Sequence, residues 1–446
     1  MAAKTNRVKS KSPSKAVSAK KTAVRRKKLK VAIAGFGTVG RSVAKLLCQE
    51  ASGTFELTHI FNRDIARKKV DWVPSSVRWT ESINEVLSSD IDIFVELAGG
   101  LKPAGDWIRK ALRAGKSVVT ANKQLIAESG PELIEAASEA GRRLEFGASV
   151  AGGIPAIMGI QDGLAGDRLF KIAGVLNGTC NFILTKMEAT GASFESALRE
   201  AQELGYAEAD PTADVEGYDA RAKLVILAQA GLRVRLQSEQ IPCWPISAVE
   251  AVDFAYAREL SCTIRQISLA KKETEDGLSV RAFVRPALVP SGSLVAHVEG
   301  SKNLVMAMGQ YAGQMVFSGF GAGGDPTAVA VVSDLYSMAR SGTSPSSSLH
   351  EIETPKDVSG EFTAPYYLRF VVKDRPGIIA AVATVLSRYG IGIDAVLQRP
   401  GYPHNALPFI ITLESARSAM LGCALQEINR LDFHVEPVLC MPILVD

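Results

Sequence analysis

Asp219 and Lys223 stand four residues apart, just ahead of the apolar run 224–228, a spacing that puts both side chains on one face of a helix. The segment leading to them gathers Glu203, Glu208, Asp210, Asp214 and Glu216 among Gly, Pro and Tyr. A lysine beside a carboxylate, fed by an acid-rich loop, suits recognition of a small zwitterion and transfer of a proton. Taken alone, the pair describes equally well a helix-stabilising ion pair next to a solvated loop.

Other segments supply what such chemistry needs. Gly35-Phe36-Gly37-Thr38-Val39-Gly40 is a GxGxxG motif after a short apolar strand (residues 29–34) and before a helical stretch. In that setting Gly35 permits the tight turn, Gly37 lets a pyrophosphate approach the backbone, and Gly40 allows helix and strand to pack closely. Thr38 and Val39 open the helix whose N-terminus favours phosphate charge. The second strand ends in Asn62-Arg63-Asp64. Arg63 there leans toward the 2′-phosphate of NADP, with Asp64 adjacent and NAD possible. Lys123 follows the strand at 117–120, at the end where doubly wound sheets bind ligands. In Asn177-Gly178-Thr179-Cys180-Asn181, Gly178 and Thr179 could offer N–H and hydroxyl groups to a carboxylate, or the segment could be a plain helix-entry turn. Cys180 invites covalent aldehyde chemistry, which the absence of a nearby His in sequence disfavours.

These residues need elements to hold them. Strand patterns at 55–61, 91–97, 117–120 and 143–146 alternate with helical ones at 82–87, 106–114 and 131–140, so the chain is expected to be α/β, with a Rossmann-like doubly wound parallel sheet over 30–150. Residues 151–320 read as an α+β catalytic and dimerisation domain, and 321–340 as a segment returning to the cofactor domain. Residues 341–365 read as a linker, with its Ser/Gly/Pro-rich part at 340–348. Over 366–446 the order βαββαβ predicts a ferredoxin-like module. Its pieces are a strand at 367–373, a helix at 377–389, strands at 391–398 and 409–414, a helix at 419–429 and a strand from Val435.

Of 446 residues, 47% are apolar and 22% charged, the make-up of a globular chain with ample core. The net charge of +4 misleads. Residues 1–30 hold twelve Lys/Arg and no Asp/Glu, leaving 39 basic against 47 acidic groups in the rest. Residues 1–29 therefore read as a disordered basic tail with no apolar core of a secretory signal; its lack of acids and its serines also fit a transit peptide, which its dominance by Lys disfavours. Neither specific nucleic-acid binding nor membrane insertion is expected. Six cysteines without a CxxC pair and five histidines without HExxH spacing point to a reduced, cytoplasmic protein without a structural metal.

With GFGTVG, TANK, SVAGGIP, LNGTCNF, GYAEADPTADVEGYDARAK and GAGGDPTAVAVVSDL in that order, the chain resembles homoserine dehydrogenase from about Lys30 to Met338. The segment Lys373-Asp374-Arg375-Pro376-Gly377-Ile378-Ile379 resembles an ACT domain, a module that commonly follows this core and senses an amino acid. The resemblance implies reversible NAD(P)H-dependent reduction of L-aspartate 4-semialdehyde to L-homoserine, in threonine and methionine biosynthesis. It implies that Lys223 moves the proton, that Asp219 orients and tunes it, and that Lys123 lies near the nicotinamide. Glu208 and Asp214 would hold the substrate ammonium, with Tyr206, Gly178 and Thr179 completing the pocket, and Gly323 would touch the cofactor. Main-chain carbonyls of Gly147, Val150, Gly152 and Ile154 would hold a monovalent cation, sodium or potassium. An effector, threonine being the expectation, would sit at Asp374, Pro376, Gly377 and Ile378, and ACT sheets pairing edge to edge would give a homodimer or homotetramer.

Three positions depart from the family pattern: Gly147 replaces a usual Glu, Arg221 is shifted by one, and Arg265 stands where Lys is common. Two other readings compete. One is a catalytically inactive NADP- and amino-acid-sensing regulator on the same fold; the other is a semialdehyde oxidoreductase with Cys180 as nucleophile.

Overall fold

Strand β1 (Leu29–Ala34) is fully buried over its last four residues, as a strand covered on both faces must be. It lies inside a parallel sheet with β2 (Phe55–Phe61), β3 (Arg78–Thr80), β4 (Ile93–Glu96), β5 (Ser117–Thr120) and β6 (Leu144–Glu145), in the order β3-β2-β1-β4-β5-β6. The order reverses between β1 and β4, which opens a crevice beyond their C-terminal ends. The computed structural model describes residues 27–275, 278–342 and 352–444. The expected basic tail up to residue 26 and residues 343–351 of the expected linker lie outside them.

One helix differs from the sequence pattern. The helix expected at 131–140 runs instead over Lys123–Glu139, with a break in helical geometry at Ser129 (φ −128°, ψ 18°). Pro131 disfavours helical geometry just ahead of it, which hides the first turns from a periodicity reading. Those turns matter, because they carry Lys123.

The second sheet joins β7 (Leu169–Val175), β8 (Cys262–Lys272), β9 (Ser279–Pro290), β10 (Lys302–Gly309), β11 (Gly313–Phe320) and β12 (Asp357–Ser359), in the order β11-β10-β7-β8-β9-β12. Strand β12 falls inside the stretch read as linker and pairs in parallel with β9. Its three residues hold a single apolar side chain, Val358, too short a pattern to read as a strand. Helix Tyr218–Leu227 sends Leu224, Ile226 and Leu227 into a core that also holds Ala32, Leu125 and Ile126 of the nucleotide domain. Helix Gly324–Ser341 returns to that domain, placing Ala328, Val331 and Leu335 against Val43 and Leu47.

The C-terminal module is an antiparallel sheet of β13 (Thr363–Val372), β14 (Ile393–Leu397), β15 (Leu407–Arg417) and β16 (Leu439–Pro442), in the order β14-β15-β13-β16. Helices Ile378–Arg388 and Ser418–Ile428 complete the βαββαβ order. The last strand begins at Leu439 rather than Val435, after Pro437, which lacks a ladder N–H. Alternation along β13 divides its labour. Leu368, Phe370 and Val372 face the module's own helices, whereas Tyr367 packs with Tyr256 and Ala257 of the catalytic domain.

Candidate active site

Asp219 enters the helix Tyr218–Leu227 behind Gly217, whose left-handed conformation (φ +84°) turns the acidic loop into the helix axis. The side chains of Asp219 and Lys223 meet as the i,i+4 spacing requires, Lys223 Nζ lying 2.7 Å from Asp219 Oδ2. The other carboxylate oxygen, Oδ1, accepts from Lys123 Nζ. One buried carboxylate thus serves two lysines, one from each domain. Lys223 is nearly buried, with a side chain 10% exposed, whereas the side chain of Lys123 is 40% exposed. Burial alone would raise the pKa of Asp219; the Lys223 and Lys123 charges outweigh it and hold the carboxyl well below the usual carboxylate range.

Lys123 is placed by a chain of buried polar contacts at the crevice. Glu96, at the end of β4, accepts from Thr120 Oγ1 at 2.7 Å and from the Ala98 and Gly99 N–H groups. Thr120 Oγ1 accepts the Asn122 N–H, and Asn122 caps the Lys123 helix by accepting from the Leu125 N–H at 3.2 Å. Lys223 is placed from the catalytic sheet: its ammonium donates to the Leu176 carbonyl at 2.8 Å, an acceptor that Asn303 Nδ2 shares.

Asn177 ties the loop to the helix. Its Nδ2 donates to Asp214 Oδ1 at 2.6 Å and to Asp219 Oδ2 at 2.9 Å, while its Oδ1 caps the helix Gly178–Thr190 through the Cys180 N–H. Burial pushes the Asp214 carboxyl up, against the Asn177 hydrogen bond, and the Asp219 charge adds to the rise. Asp214 is therefore a half-buried acid that gains from a cationic ligand. Thr179 Oγ1 donates to the Tyr206 carbonyl, which fixes the half-exposed Tyr206 loop to the Gly178 helix. Glu208 is exposed two residues further on, its carbonyl accepting from Gln202.

Cys180 is fully buried, and its thiol donates to the Asp214 carbonyl at 3.1 Å. Burial and the Asp214 and Asp219 charges push its pKa far up, which argues against the thiolate that a nucleophile needs.

At the other end of the crevice, Gly35 (φ +107°) lies where a Cβ would meet the Leu97 carbonyl at 2.6 Å, and a Cβ on Gly40 would meet the Gly35 carbonyl at 2.1 Å. Around Gly37 a Cβ would meet nothing within 4 Å, and no side chain caps the helix Thr38–Gln49 that it opens. Free N–H groups facing open space at a helix start fit a dinucleotide pyrophosphate. Gly323 (φ +121°) opens the return helix, and the neighbouring Gly324 sits so close that a Cβ would meet Thr38 Cγ2 at 2.8 Å. Arg63 is exposed at the end of β2; Asp64 accepts from the Arg67 N–H at 3.1 Å, capping a short helix.

Gly147 lies against Asp334, where a Cβ would be 2.6 Å from Oδ1. Ala151 (φ +57°) and Gly152 (φ +53°) form a left-handed turn between Val150 and Ile154, whose carbonyl accepts from the Ala156 N–H. Among the described residues no group of His, Cys, Asp and Glu side chains could hold a metal ion. On the C-terminal module, Asp374 pairs with His404 at 2.7 Å and lies three residues before Gly377 (φ +95°), the cap of the following helix Ile378–Arg388.

Sequence reasoning missed the roles of Asn177, Asn303, Glu96, Thr120 and the Leu176 carbonyl. Asn177 left a trace, as a capping residue beside Gly178; the others work through partners far away in the chain.

Comparison with known proteins joins these observations. Residues 155–336 match the model of homoserine dehydrogenase, residues 35–147 that of the homoserine dehydrogenase NAD-binding domain, and residues 366–433 that of the ACT domain. A homoserine dehydrogenase of Pseudomonas aeruginosa is 38% identical over 430 residues, covering 92% of this chain and 98% of the relative. The crystal structure of a homoserine dehydrogenase from Thiobacillus denitrificans superimposes with a TM-score of 0.83 at 33% identity, covering 94% of this chain and 98% of that one. A hyperthermophilic archaeal homoserine dehydrogenase in complex with NADPH aligns with a TM-score of 0.60 at 26% identity, over 70% of this chain and 98% of that one. By sequence, domain order and fold, the chain belongs to the homoserine dehydrogenase family.

Proposed function

We propose that Lys223 is the proton-transfer residue in the reversible reduction of L-aspartate 4-semialdehyde to L-homoserine. The observation that carries this is the placement of its ammonium. Of three N–H bonds, one goes to Asp219 and one to the Leu176 carbonyl, which leaves one for a substrate oxygen. The nicotinamide, when bound, supplies or accepts the hydride at the carbon that bears this oxygen. Lys223 stabilises the negative charge that develops there and donates the proton; in the oxidation it takes the proton back. Asp219 keeps both lysines in place, and Lys123 brings a second positive charge toward the cofactor. Asp214 and Glu208 receive the substrate ammonium, and the first turn at Gly178 and Thr179, with Tyr206 closing the loop, receives its carboxylate.

Gly35, Gly37, Thr38, Val39, Gly40 and Gly323 would hold the cofactor, and Arg63 its 2′-phosphate. NADP is preferred in this reading because Asp64, the acid at the strand end, is engaged as a helix cap; the archaeal relative with bound NADPH supports it. A carbonyl turn at Gly147, Val150, Gly152 and Ile154 suits a monovalent cation by donor type. The ACT module is read as making activity responsive to an amino acid, threonine first, in a homodimer or homotetramer. A cytoplasmic setting is supported by six free cysteines.

The test is homoserine-dependent reduction of NADP and NAD by the purified chain and by Lys223→Ala. Lys223→Ala is expected to lose roughly 10²–10⁴ in turnover while binding NADP normally. Equal turnover in the two proteins would refute the assignment. A wild type that binds NADP without turnover would favour the sensor reading.

A further inference from the structure

Between the ACT module and the catalytic domain lies a cavity of about 790 Å³ that the reaction does not use. Its charged lining includes Arg285, Arg369, Glu250 and Glu436. Arg369 has counter-charges, with Asp253 at 2.8 Å, Glu436 at 3.1 Å and Glu250 at 3.2 Å, though its Nε has no hydrogen-bond partner. Arg285 is different. It is 5% exposed, donates from Nη2 to the Cys440 carbonyl at 3.0 Å and stacks on Trp244 at 4.2 Å. No carboxylate among the described residues forms an ion pair with it, and its Nε has no hydrogen-bond partner. A buried cation without a counter-charge is costly, and burial lowers the pKa of this guanidinium. An anionic ligand group would remove that cost. Leu421 and Leu425 supply an apolar wall on the ACT side, and Glu250 and Glu436 are partly exposed carboxylates on the same lining.

We propose that this seam binds a small aliphatic α-amino acid, with its carboxylate on Arg285, its ammonium on Glu436 and Glu250, and its side chain against Leu421 and Leu425. The proposal rests on the reading that the ACT module confers an amino-acid response, and it moves the site from the Asp374 turn to the domain joint. The joint also has a short route to the reaction. Arg285 follows Val284 in β9, and the Val284 carbonyl accepts the Trp244 N–H at 2.9 Å. Val284 Cγ1 lies 3.0 Å from where a Cβ on Gly217 would sit, and Gly217 caps the helix that carries Asp219 and Lys223. A ligand that draws on Arg285 therefore acts on a strand in contact with the start of the catalytic helix.

The experiment uses the full chain, with L-threonine, L-isoleucine and L-methionine as probes, and compares rates and thermal shifts with and without each. Arg285→Gln removes the charge. Gly422→Phe fills the cavity from an exposed helix position where an added Cβ meets nothing within 4 Å. Both substitutions are expected to raise the probe concentration needed for half-effect by about tenfold or more, measured as the ratio to each variant's own unliganded rate, whereas Asp374→Ala leaves it unchanged. A response that survives both seam variants and disappears in Asp374→Ala would overturn the proposal and leave amino-acid regulation standing. No response and no thermal shift in the wild type with any probe would overturn both.

Discussion

Asp219 and Asp214 are held by the same amide, yet their surroundings push their carboxyls in opposite directions. Two lysines keep Asp219 ionised; burial, and after it the Asp219 charge, raise the Asp214 carboxyl against the Asn177 hydrogen bond. The two acids should therefore fail in different ways. Asp219→Asn leaves two ammonium groups without their shared counter-charge and is expected to lower kcat by roughly a hundredfold or more, with a small change in KM. Asp214→Asn is expected to raise the KM for homoserine by about tenfold or more, with kcat less affected. Steady-state kinetics on both variants checks the split, and the reverse pattern would exchange the roles. The Asp219–Lys223 pair was legible because helix periodicity is local. Asn177 lies 42 residues from Asp219 and Lys123 lies 96 residues away, and no spacing rule reaches that far.

Glycines show the same division between what an element needs and what a ligand needs. Gly40 lies tight against the Gly35 carbonyl, whereas Gly37 faces open space. Gly40→Ala should therefore push the Thr38 helix off β1, lowering stability by about 1–3 kcal/mol and weakening NADP binding together. Gly37→Ala, at a φ of −82° that alanine adopts freely, should leave stability within about 0.5 kcal/mol and weaken NADP binding alone. Urea denaturation with cofactor titration separates the two, and equal losses of stability would refute this reading of the motif. The motif, the alternating strands and the βαββαβ module were readable because each has a strong local period. The first turns of the Lys123 helix, broken at Ser129 ahead of Pro131, and the three-residue β12 were not, since one interrupts its period and the other is too short to display one.

At the scale of the whole molecule, the ACT module is joined to the enzyme through a buried polar cluster rather than tethered by its linker. Arg369 of β13 pairs with Asp253, 116 residues earlier, and Tyr367 donates to the same carboxylate at 2.7 Å. The sequence shows a strand at 367–373; it cannot show that alternate residues of that strand find their partners in the helix Ala251–Glu259. Burial pushes the Asp253 carboxyl up to about 6, more than Arg369 and its hydrogen bonds pull it down. A carboxyl raised in the folded state keeps its proton where the unfolded chain, at an ordinary value of about 4, has lost it. Its contribution to stability is thus highest below pH ~4, falls as pH rises to about 6 and is flat above that. The size of the change is about 3 kcal/mol. Asp253→Asn keeps an acceptor for Tyr367 and leaves Arg369 with Glu436 and Glu250, but has no proton to lose. The stability of wild type minus that of the variant, from urea denaturation, should therefore decline between pH 4 and 6 and hold constant from 6.5 to 8. A difference that rises over the lower interval would mean that the Arg369 pairing outweighs burial, and that the joint is tightened rather than loosened by ionisation.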